Sequence, residues 1–173
     1  MARPKIRIEP TIADKVVEIL GWFVLLVTWI FTIASYSNLP DTIPIHYNGA
    51  GKADGFGSKI NILILPFIAT ILYVGITVAN KFPHVFNYPT RITEENALRQ
   101  YTNATRMMRY LKLALVVLFG LIAFKTIQST RGQSAGLGIW FLPLKMFNYK
   151  LPQWLLQNIV QHKLIAIIKV HRL

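Results

Sequence analysis

The chain has 173 residues, of which 53% are hydrophobic and 15% charged, whereas about a quarter of the residues in a soluble domain are charged. Its formal net charge is +12, yet the Lys and Arg residues lie at the ends of long apolar blocks and not along one groove, which argues against nucleic-acid binding. Because cysteine is absent, structural disulfides and thiolate metal sites are excluded. The apolar blocks predict an all-α fold of several transmembrane helices.

The first transmembrane helix is predicted to begin near Thr11 and to end at Tyr36. Thr11 and Asp14 have the spacing of a capping box, and the apolar run that follows is about 18 residues long, close to the roughly 20 that cross the hydrocarbon core. This run is longer than a signal-peptide core and no small-residue cleavage site follows it, so we expect it to remain as a signal anchor. Glu18, at its inner edge, is expected to snorkel or to pair with Lys15 and not to relay protons.

The segment 37–59 is predicted to be a structured loop without helix. Its prolines and glycines are too closely spaced for a helix, and the glycines suit positive-φ positions in tight turns. These structural turn residues are Pro40, Pro44, Gly49, Gly51, Gly55 and Gly57.

Two further spans are predicted after the loop. The second helix runs from about Ile60 to Asn80, with Ser58 as its N-cap and a kink expected at Pro66. The third begins at Thr93, and no glycine or proline interrupts it for many turns. This pattern indicates one long helix, half outside the bilayer and half inside it. The three spans are expected near 16–36, 60–80 and 111–128.

Beyond the third helix the hydrophobic pattern weakens. A Ser- and Gly-rich turn follows it, and the next apolar run, 137–144, is too short to cross a membrane. Lys145 and Lys150 interrupt what would be a fourth span. We therefore divide the chain into a membrane domain, 1–144, and a basic amphipathic tail, 145–173.

The distribution of basic residues predicts the orientation of the spans. The N-terminal segment carries four Lys or Arg residues, the 37–59 loop carries two, and the region from 81 to 109 carries five. Because cytoplasmic segments carry the excess of Lys and Arg, we expect a multi-pass protein of the cytoplasmic (inner) membrane. Its N-terminus would be cytoplasmic and the loop extracytoplasmic.

The loop also carries a specific motif. It reads LPDTIPIHYNGAGKADGFGSK over residues 39–59. This resembles the pattern LP-x-x-IP-x-H-[FYW]-N-x-x-G-x-x-D-x-[FYW]-[GS]-[SP]-K, which follows the first transmembrane helix in a bacterial membrane family known as domain of unknown function 1648. The stretch 86–101 is also similar to members of that family, so the resemblance covers roughly residues 15–144.

The resemblance implies a fold and a location more than a reaction. The family includes the immunity protein against a sporulation-delaying toxin, which also acts in signalling, while most members have no assigned activity. Its members are expected to continue into a fourth span after Leu144. At those positions this chain has Lys145, Asn148 and Lys150.

Four polar residues of the loop form the candidate contact site: His46, Asn48, Asp54 and Lys59. One interpretation is a small extracytoplasmic site for a peptide, a toxin or a cation. A turn could bring His46 and Asp54 around a metal, but two ligands fall short of the three or four that zinc requires, and no metal is assigned. The other interpretation is structural: Asn48 and Asp54 cap turns, His46 bonds a backbone carbonyl and Lys59 closes an ion pair.

The first half of the third helix carries a predicted cytoplasmic basic face of Arg99, Arg106 and Arg109. The simplest interpretation is a topology determinant that meets anionic lipid. The alternative is a contact for a cytoplasmic protein partner. Lys112 and Lys125 bracket the buried part of the same helix and are expected to snorkel toward the headgroups.

Together these features favour a non-enzymatic bacterial integral membrane protein without cofactors, acting in toxin immunity or envelope sensing through the 39–59 loop. An accessory subunit of a membrane transporter is the second hypothesis, and a metal-dependent membrane hydrolase is the third. An enzyme would need further convergent polar groups within the outer leaflet. A transporter would need polar residues that face one another within the membrane, and the second and third spans are nearly bare of them in sequence.

Overall fold

The computed structural model describes residues 3–132. The predicted turn after the third span, the interrupted fourth span and the basic tail lie outside it. In chain order the elements are helix α1 (Ile12–Tyr36), strands β1 (Thr42–Tyr47) and β2 (Ala53–Ser58), a 3₁₀ turn (Lys59–Leu63), helix α2 (Ile64–Ala79), a second 3₁₀ turn (Pro83–Val85) and helix α3 (Glu94–Thr130).

Three helical segments are long and apolar enough to cross a membrane, which confirms the three predicted spans. The predicted capping box at the start of α1 is also confirmed. The Asp14 N–H donates to the Thr11 hydroxyl at 3.2 Å, and the Thr11 N–H donates to the Asp14 carboxylate at 2.9 Å. As predicted, α3 is one unbroken helix, 37 residues long.

The second span has its predicted N-cap, Ser58, but begins as a 3₁₀ turn and not as an α-helix. Its first five residues form a 3₁₀ turn, and the N–H of Ile60 donates to the Ser58 hydroxyl at 3.5 Å. Pro66 is then the third residue of α2. The proline therefore lies in the first turn of α2, close to the junction with the 3₁₀ turn, and the kink expected there stays a prediction.

The 37–59 segment contains a β-hairpin, so the all-α expectation is corrected to three helices with a small two-stranded sheet. Strands β1 and β2 pair antiparallel, with Pro44 opposite Phe56 and His46 opposite Gly55. The register shifts between Pro44 and His46, as at a β-bulge. Sequence reasoning noted the turn residues but not that β1, Thr42–Tyr47, is rich in the β-branched and aromatic residues that favour strands.

Helix α3 is the centre of the bundle, because α1 and α2 both pack mainly against it and touch each other less. Glu18 contacts Lys112 near one end of the bundle, and Phe31 contacts Phe124 further along. Helices α1 and α3 therefore run parallel, and α2 returns between their two ends. The large apolar side chains on the outside of α1 and α2 are mostly exposed, which is consistent with contact with lipid.

The N-terminal segment before α1 is tied to the connection between α2 and α3. The Arg3 guanidinium donates to the carbonyls of His84 at 3.1 Å and Phe86 at 2.6 Å. The Tyr101 hydroxyl donates to the carbonyl of Pro4 at 3.1 Å. We call this part of the molecule the N-terminal end and the opposite part the hairpin end.

Glycine allows the helices to approach one another at two points. A Cβ atom added to Gly21 would lie 2.5 Å from the Tyr73 hydroxyl oxygen, and one added to Gly120 would lie 2.8 Å from the Thr28 hydroxyl oxygen. Small residues at such contacts are typical of membrane helices, whose association depends on close packing and not on the hydrophobic effect.

Replacing Gly21 with alanine tests the close approach of α1 to α2. We expect Gly21→Ala to lower the free energy of unfolding by about 1–3 kcal/mol, because Tyr73 must move to admit the new methyl group. Gly75→Ala is the matched control, since a Cβ there meets nothing within 4 Å, and it should be neutral or slightly stabilising. Unfolding of the purified proteins in detergent micelles measures both changes. Equal effects of the two substitutions would contradict the packing described.

Candidate functional site

The tip of the hairpin is organised by Asn48. Its side-chain oxygen accepts hydrogen bonds from the N–H groups of Ala50 at 2.9 Å and Lys52 at 3.1 Å. Its own N–H donates to the Lys52 carbonyl at 2.8 Å. Gly51 has a φ of 74°, in the left-handed region that side chains disfavour. Asn48 therefore stabilises the turn, and its side-chain oxygen accepts hydrogen bonds from the backbone of that same turn.

His46 and Asp54 meet across the two strands. The Nδ1 atom of His46 lies 2.5 Å from Oδ1 of Asp54, and their side chains are 71% and 42% exposed. Gly55 makes room for this pair, because a Cβ there would lie 2.8 Å from the His46 Cβ. Lys59 lies at the base of the hairpin, where it pairs with Asp41 at 3.0 Å. The four polar residues of the predicted contact site therefore do not converge on one point; only His46 and Asp54 touch.

The base of the hairpin is fixed to the helices by a buried cluster and a hydrogen bond. The Tyr47 hydroxyl donates to Oγ1 of Thr126 on α3 at 3.1 Å. Burial raises the pKa of Tyr47 and outweighs its contacts with Thr126 and Ser129, which act in the opposite direction. The phenol thus stays a donor at neutral pH. The buried cluster consists of Leu39, Ile43, Ile62 and Ile127.

His46 and Asp54 both have side chains of the types that bind metal ions. Within residues 3–132, no three His, Cys, Asp or Glu side chains come together in a group that could hold a metal ion. His46 and Asp54 would therefore need a third ligand from elsewhere to form a zinc site. The chemistry that the exposed pair supports is hydrogen bonding and charge recognition at the surface.

A second polar group, the ionic cluster, lies between the helices at the N-terminal end. Its centre is Lys112, which is 1% exposed. Nζ of Lys112 donates to Oε2 of Glu18 on α1 and to Oγ1 of Thr77 on α2, both at 2.6 Å. It also lies 4.4 Å from the centre of the Tyr73 ring, and the Tyr73 hydroxyl donates to the Glu18 carbonyl at 2.8 Å. One ammonium group thus connects all three helices.

The other members of the ionic cluster are Asp14, Arg106 and Arg109. Nε of Arg106 donates to Oδ1 of Asp14 at 3.3 Å. Arg109 lies between the two carboxylates, with a nitrogen 3.7 Å from Asp14 and its Nε 3.3 Å from Oε1 of Glu18. Arg99, by contrast, is exposed. The predicted basic face is therefore divided: Arg106 and Arg109 point toward α1, and only Arg99 is on the outside.

Two sequence expectations are wrong for this cluster. Lys112 does not snorkel to the surface, and Glu18 pairs with Lys112 and Arg109 and not with Lys15. The sequence of α1 did contain a sign of the cluster, in the spacing of its acidic residues. Asp14 and Glu18 continue the line of buried residues that runs along α1. That line also contains Gly21, Leu25, Thr28, Thr32 and Ser35.

Comparison with known proteins places the motif in a family. The family described as "Domain of unknown function (DUF1648)" matches residues 23–70, from α1 through the hairpin into α2, which confirms the resemblance for that segment. The chain is also similar to an "Uncharacterized protein" of Archaeoglobus fulgidus, at 27% identity over 106 residues, or 57% of this chain. The match spans 58% of that relative's length. No solved structure matches the chain.

Substitutions at Glu18 and Lys112 test the buried ion pair. We expect Glu18→Gln to lower the free energy of unfolding by about 3–5 kcal/mol, because it leaves a buried ammonium without its carboxylate. Lys112→Met should cost less, since Glu18 keeps Arg109 beside it. The double variant should be more stable than Glu18→Gln alone.

The control for this experiment is Lys125→Met. Lys125 is on the same helix, only half-buried, and its ammonium donates to the amide of Gln128 and not to a carboxylate. Denaturant titration in micelles measures the change in the free energy of unfolding for the two single variants, the double variant and the control. A Glu18→Gln effect as small as that of Lys125→Met would show that the pair contributes little.

Proposed function

We propose that this chain is a non-enzymatic protein of the cytoplasmic membrane whose hairpin contacts a peptide, such as a toxin, outside the cell. The observation that carries this proposal is the contrast between the two sides of the hairpin. Its base is buried against α1, α2 and α3, while the His46–Asp54 pair is exposed. A rigid, anchored element that displays side chains to solvent is suited to recognition.

The exposed surface of the hairpin combines charge with apolar area. Phe56 is 61% exposed and Ile45 is 51% exposed, on the same hairpin as the imidazole of His46 and the carboxylate of Asp54. Aromatic side chains surrounded by polar groups are typical of binding surfaces. A membrane-active peptide, which is itself part apolar and part charged, fits this combination. Toxin immunity or envelope sensing would use such a contact, and the resemblance of the 39–59 motif to a family that includes a toxin-immunity protein supports this proposal.

The charge distribution supports an orientation with the N-terminus in the cytoplasm. Arg106 and Arg109 are paired with carboxylates of α1, so they contribute less to the excess of positive charge at the N-terminal end than their number suggests. Without them, the N-terminal end still carries three basic residues before α1, Lys15 in its first turns and three more from 81 to 99, against two in the hairpin region. This asymmetry favours the hairpin on the outside. Arg99 and the N-terminal segment are then available to a cytoplasmic protein.

The alternative, an accessory subunit of a transporter, gains one observation from the ionic cluster. Polar side chains of α1, α2 and α3 do face one another, although the second and third spans looked nearly bare of them in sequence. The cluster lies near one end of the spans, because Glu18 immediately precedes the apolar run of α1. We regard this as weaker support than the exposed hairpin gives to recognition. Stoichiometric purification with a transporter subunit would favour the alternative.

Single cysteines test the orientation, and the chain has no cysteine of its own to interfere. Ala50 at the hairpin tip and Asn103 on α3 are both exposed. In intact cells, a membrane-impermeant maleimide should label Ala50→Cys and leave Asn103→Cys unlabelled until the membrane is permeabilised. Labelling of Asn103→Cys in intact cells would overturn the proposed orientation.

Survival assays test the recognition surface. Cells that express the chain are challenged with membrane-active peptides encoded beside its gene, and colony counts are compared with an empty vector. We expect Phe56→Ala and Asp54→Asn to reduce protection by at least about tenfold, because each removes part of the contact surface. Phe67→Ala is the control, since Phe67 is similarly exposed but on α2. Protection that survives both hairpin substitutions, at equal membrane abundance, would sink the proposal.

A further inference from the structure

A cavity of about 430 Å³ opens beside the ionic cluster at the N-terminal end. It lies where α2 ends, at Ala79, and where the apolar run of α1 begins, at Ile19. This is the depth at which a bilayer changes from hydrocarbon to headgroups. The cavity has a polar lining on the helices and an apolar cover from the N-terminal segment. The residues that matter here are Ile6, Ile8, Glu18, Asn80, Thr105 and Arg109.

The charges around the cavity are not balanced. In the ionic cluster three cations face two carboxylates, which leaves one positive charge. Arg106 donates to Asp14, and Lys112 donates to Glu18. Arg109 shares these two carboxylates with Arg106 and Lys112, and within residues 3–132 its guanidinium donates no hydrogen bond. Lys81 also lines the cavity and adds a further positive charge, whereas Arg7 is paired with Glu9 at 3.0 Å. The net charge around the cavity is positive, which favours an anion.

The guanidinium of Arg109 is also nearly removed from water. Its side chain is 11% exposed, and its buried Nε has no hydrogen-bond acceptor among the described residues. Although Nε lies 3.3 Å from Oε1 of Glu18, the contact lacks the geometry of a hydrogen bond. A buried donor without an acceptor is costly, and an anionic oxygen in the cavity would satisfy it.

Asn80 adds a second requirement that a ligand in the cavity has to meet. Its Nδ2 donates to the Thr105 carbonyl at 3.1 Å, which fixes the amide so that Oδ1 is the other polar atom. Oδ1 is buried and accepts no hydrogen bond from the part of the chain that the structure describes. Two residues that line the cavity thus leave one charged donor and one neutral acceptor unsatisfied. A matching ligand carries an anionic oxygen and, near it, a hydroxyl group.

We propose that this cavity binds a glycerol phosphate group. The phosphate oxygens accept from Arg109, and a glycerol hydroxyl donates to Oδ1 of Asn80. Two sources have this chemistry: the headgroup of phosphatidylglycerol in the adjoining leaflet, and free glycerol phosphate from the aqueous side.

Lipid titration of the full chain in a neutral detergent, followed by native mass spectrometry, tests the proposal. Three lipids are compared: phosphatidylglycerol, phosphatidylmethanol, which has the same phosphate charge but no headgroup hydroxyl, and phosphatidylcholine. We expect one tightly bound phosphatidylglycerol per chain, held about fivefold more tightly than phosphatidylmethanol through the hydroxyl contact. Equal binding of phosphatidylglycerol and phosphatidylcholine by the wild-type chain would overturn the proposal without any variant.

Three variants assign the contacts. Arg109→Gln should weaken phosphatidylglycerol binding by at least about tenfold, since it removes a charge-assisted contact. Arg99→Gln is the charge-matched control for non-specific attraction of anionic lipid, since Arg99 is exposed on α3 and does not line the cavity; it should keep the one tightly bound phosphatidylglycerol. Asn80→Leu should bind phosphatidylglycerol and phosphatidylmethanol equally. Unchanged binding by folded Arg109→Gln, or an equal loss in Arg99→Gln, would overturn the assignment.

Free glycerol 3-phosphate distinguishes the two sources. If the lipid is the ligand, millimolar glycerol 3-phosphate should neither displace phosphatidylglycerol nor raise the unfolding temperature of the lipid-free chain. If the free compound is the ligand, both effects should appear and should be lost in Arg109→Gln. Neither ligand binding to the folded wild-type chain would reject the proposal.

Discussion

A buried ammonium group must have its charge and its hydrogen bonds satisfied, and Lys112 has them satisfied by residues from two neighbouring helices. Glu18 comes from α1, while Thr77 and Tyr73 come from α2. Because Lys112 belongs to the central helix, its contacts fix how α1 and α2 are rotated about their own axes. The close approach of α1 to α2 at Gly21 and the position of the cavity beside Arg109 both depend on that rotation.

Much of the helical framework could be predicted from the sequence because its causes are local. Apolar runs of sufficient length located the three spans, and Thr11 with Asp14 marked the start of α1. The ionic cluster could not be predicted in the same way, since its partners are far apart in the chain: Glu18 and Lys112 are separated by 94 positions. In sequence, a lysine at the end of an apolar run has the same appearance whether it snorkels or is buried between helices.

The hairpin was only partly predictable for a related reason. Glycines and prolines correctly excluded a helix from 37 to 59, but they do not specify which strand pairs with which. That pairing depends on contacts across the two strands, such as His46 with Asp54, and on a buried base supplied by Ile127 of the distant α3. The four polar residues of the loop looked equivalent in sequence. In the folded chain Asn48 shapes the turn, Lys59 pairs at the base, and only two of the four touch.

The length of α3 has a structural consequence. A helix of 37 residues is about 55 Å long at 1.5 Å per residue, nearly twice the roughly 30 Å thickness of the hydrocarbon core. One end of this rod holds the hairpin through Thr126 and Tyr47, and the other end holds the N-terminal segment through Tyr101. The hairpin and the N-terminal segment, at the two ends of the bundle, are therefore attached to the same continuous helix.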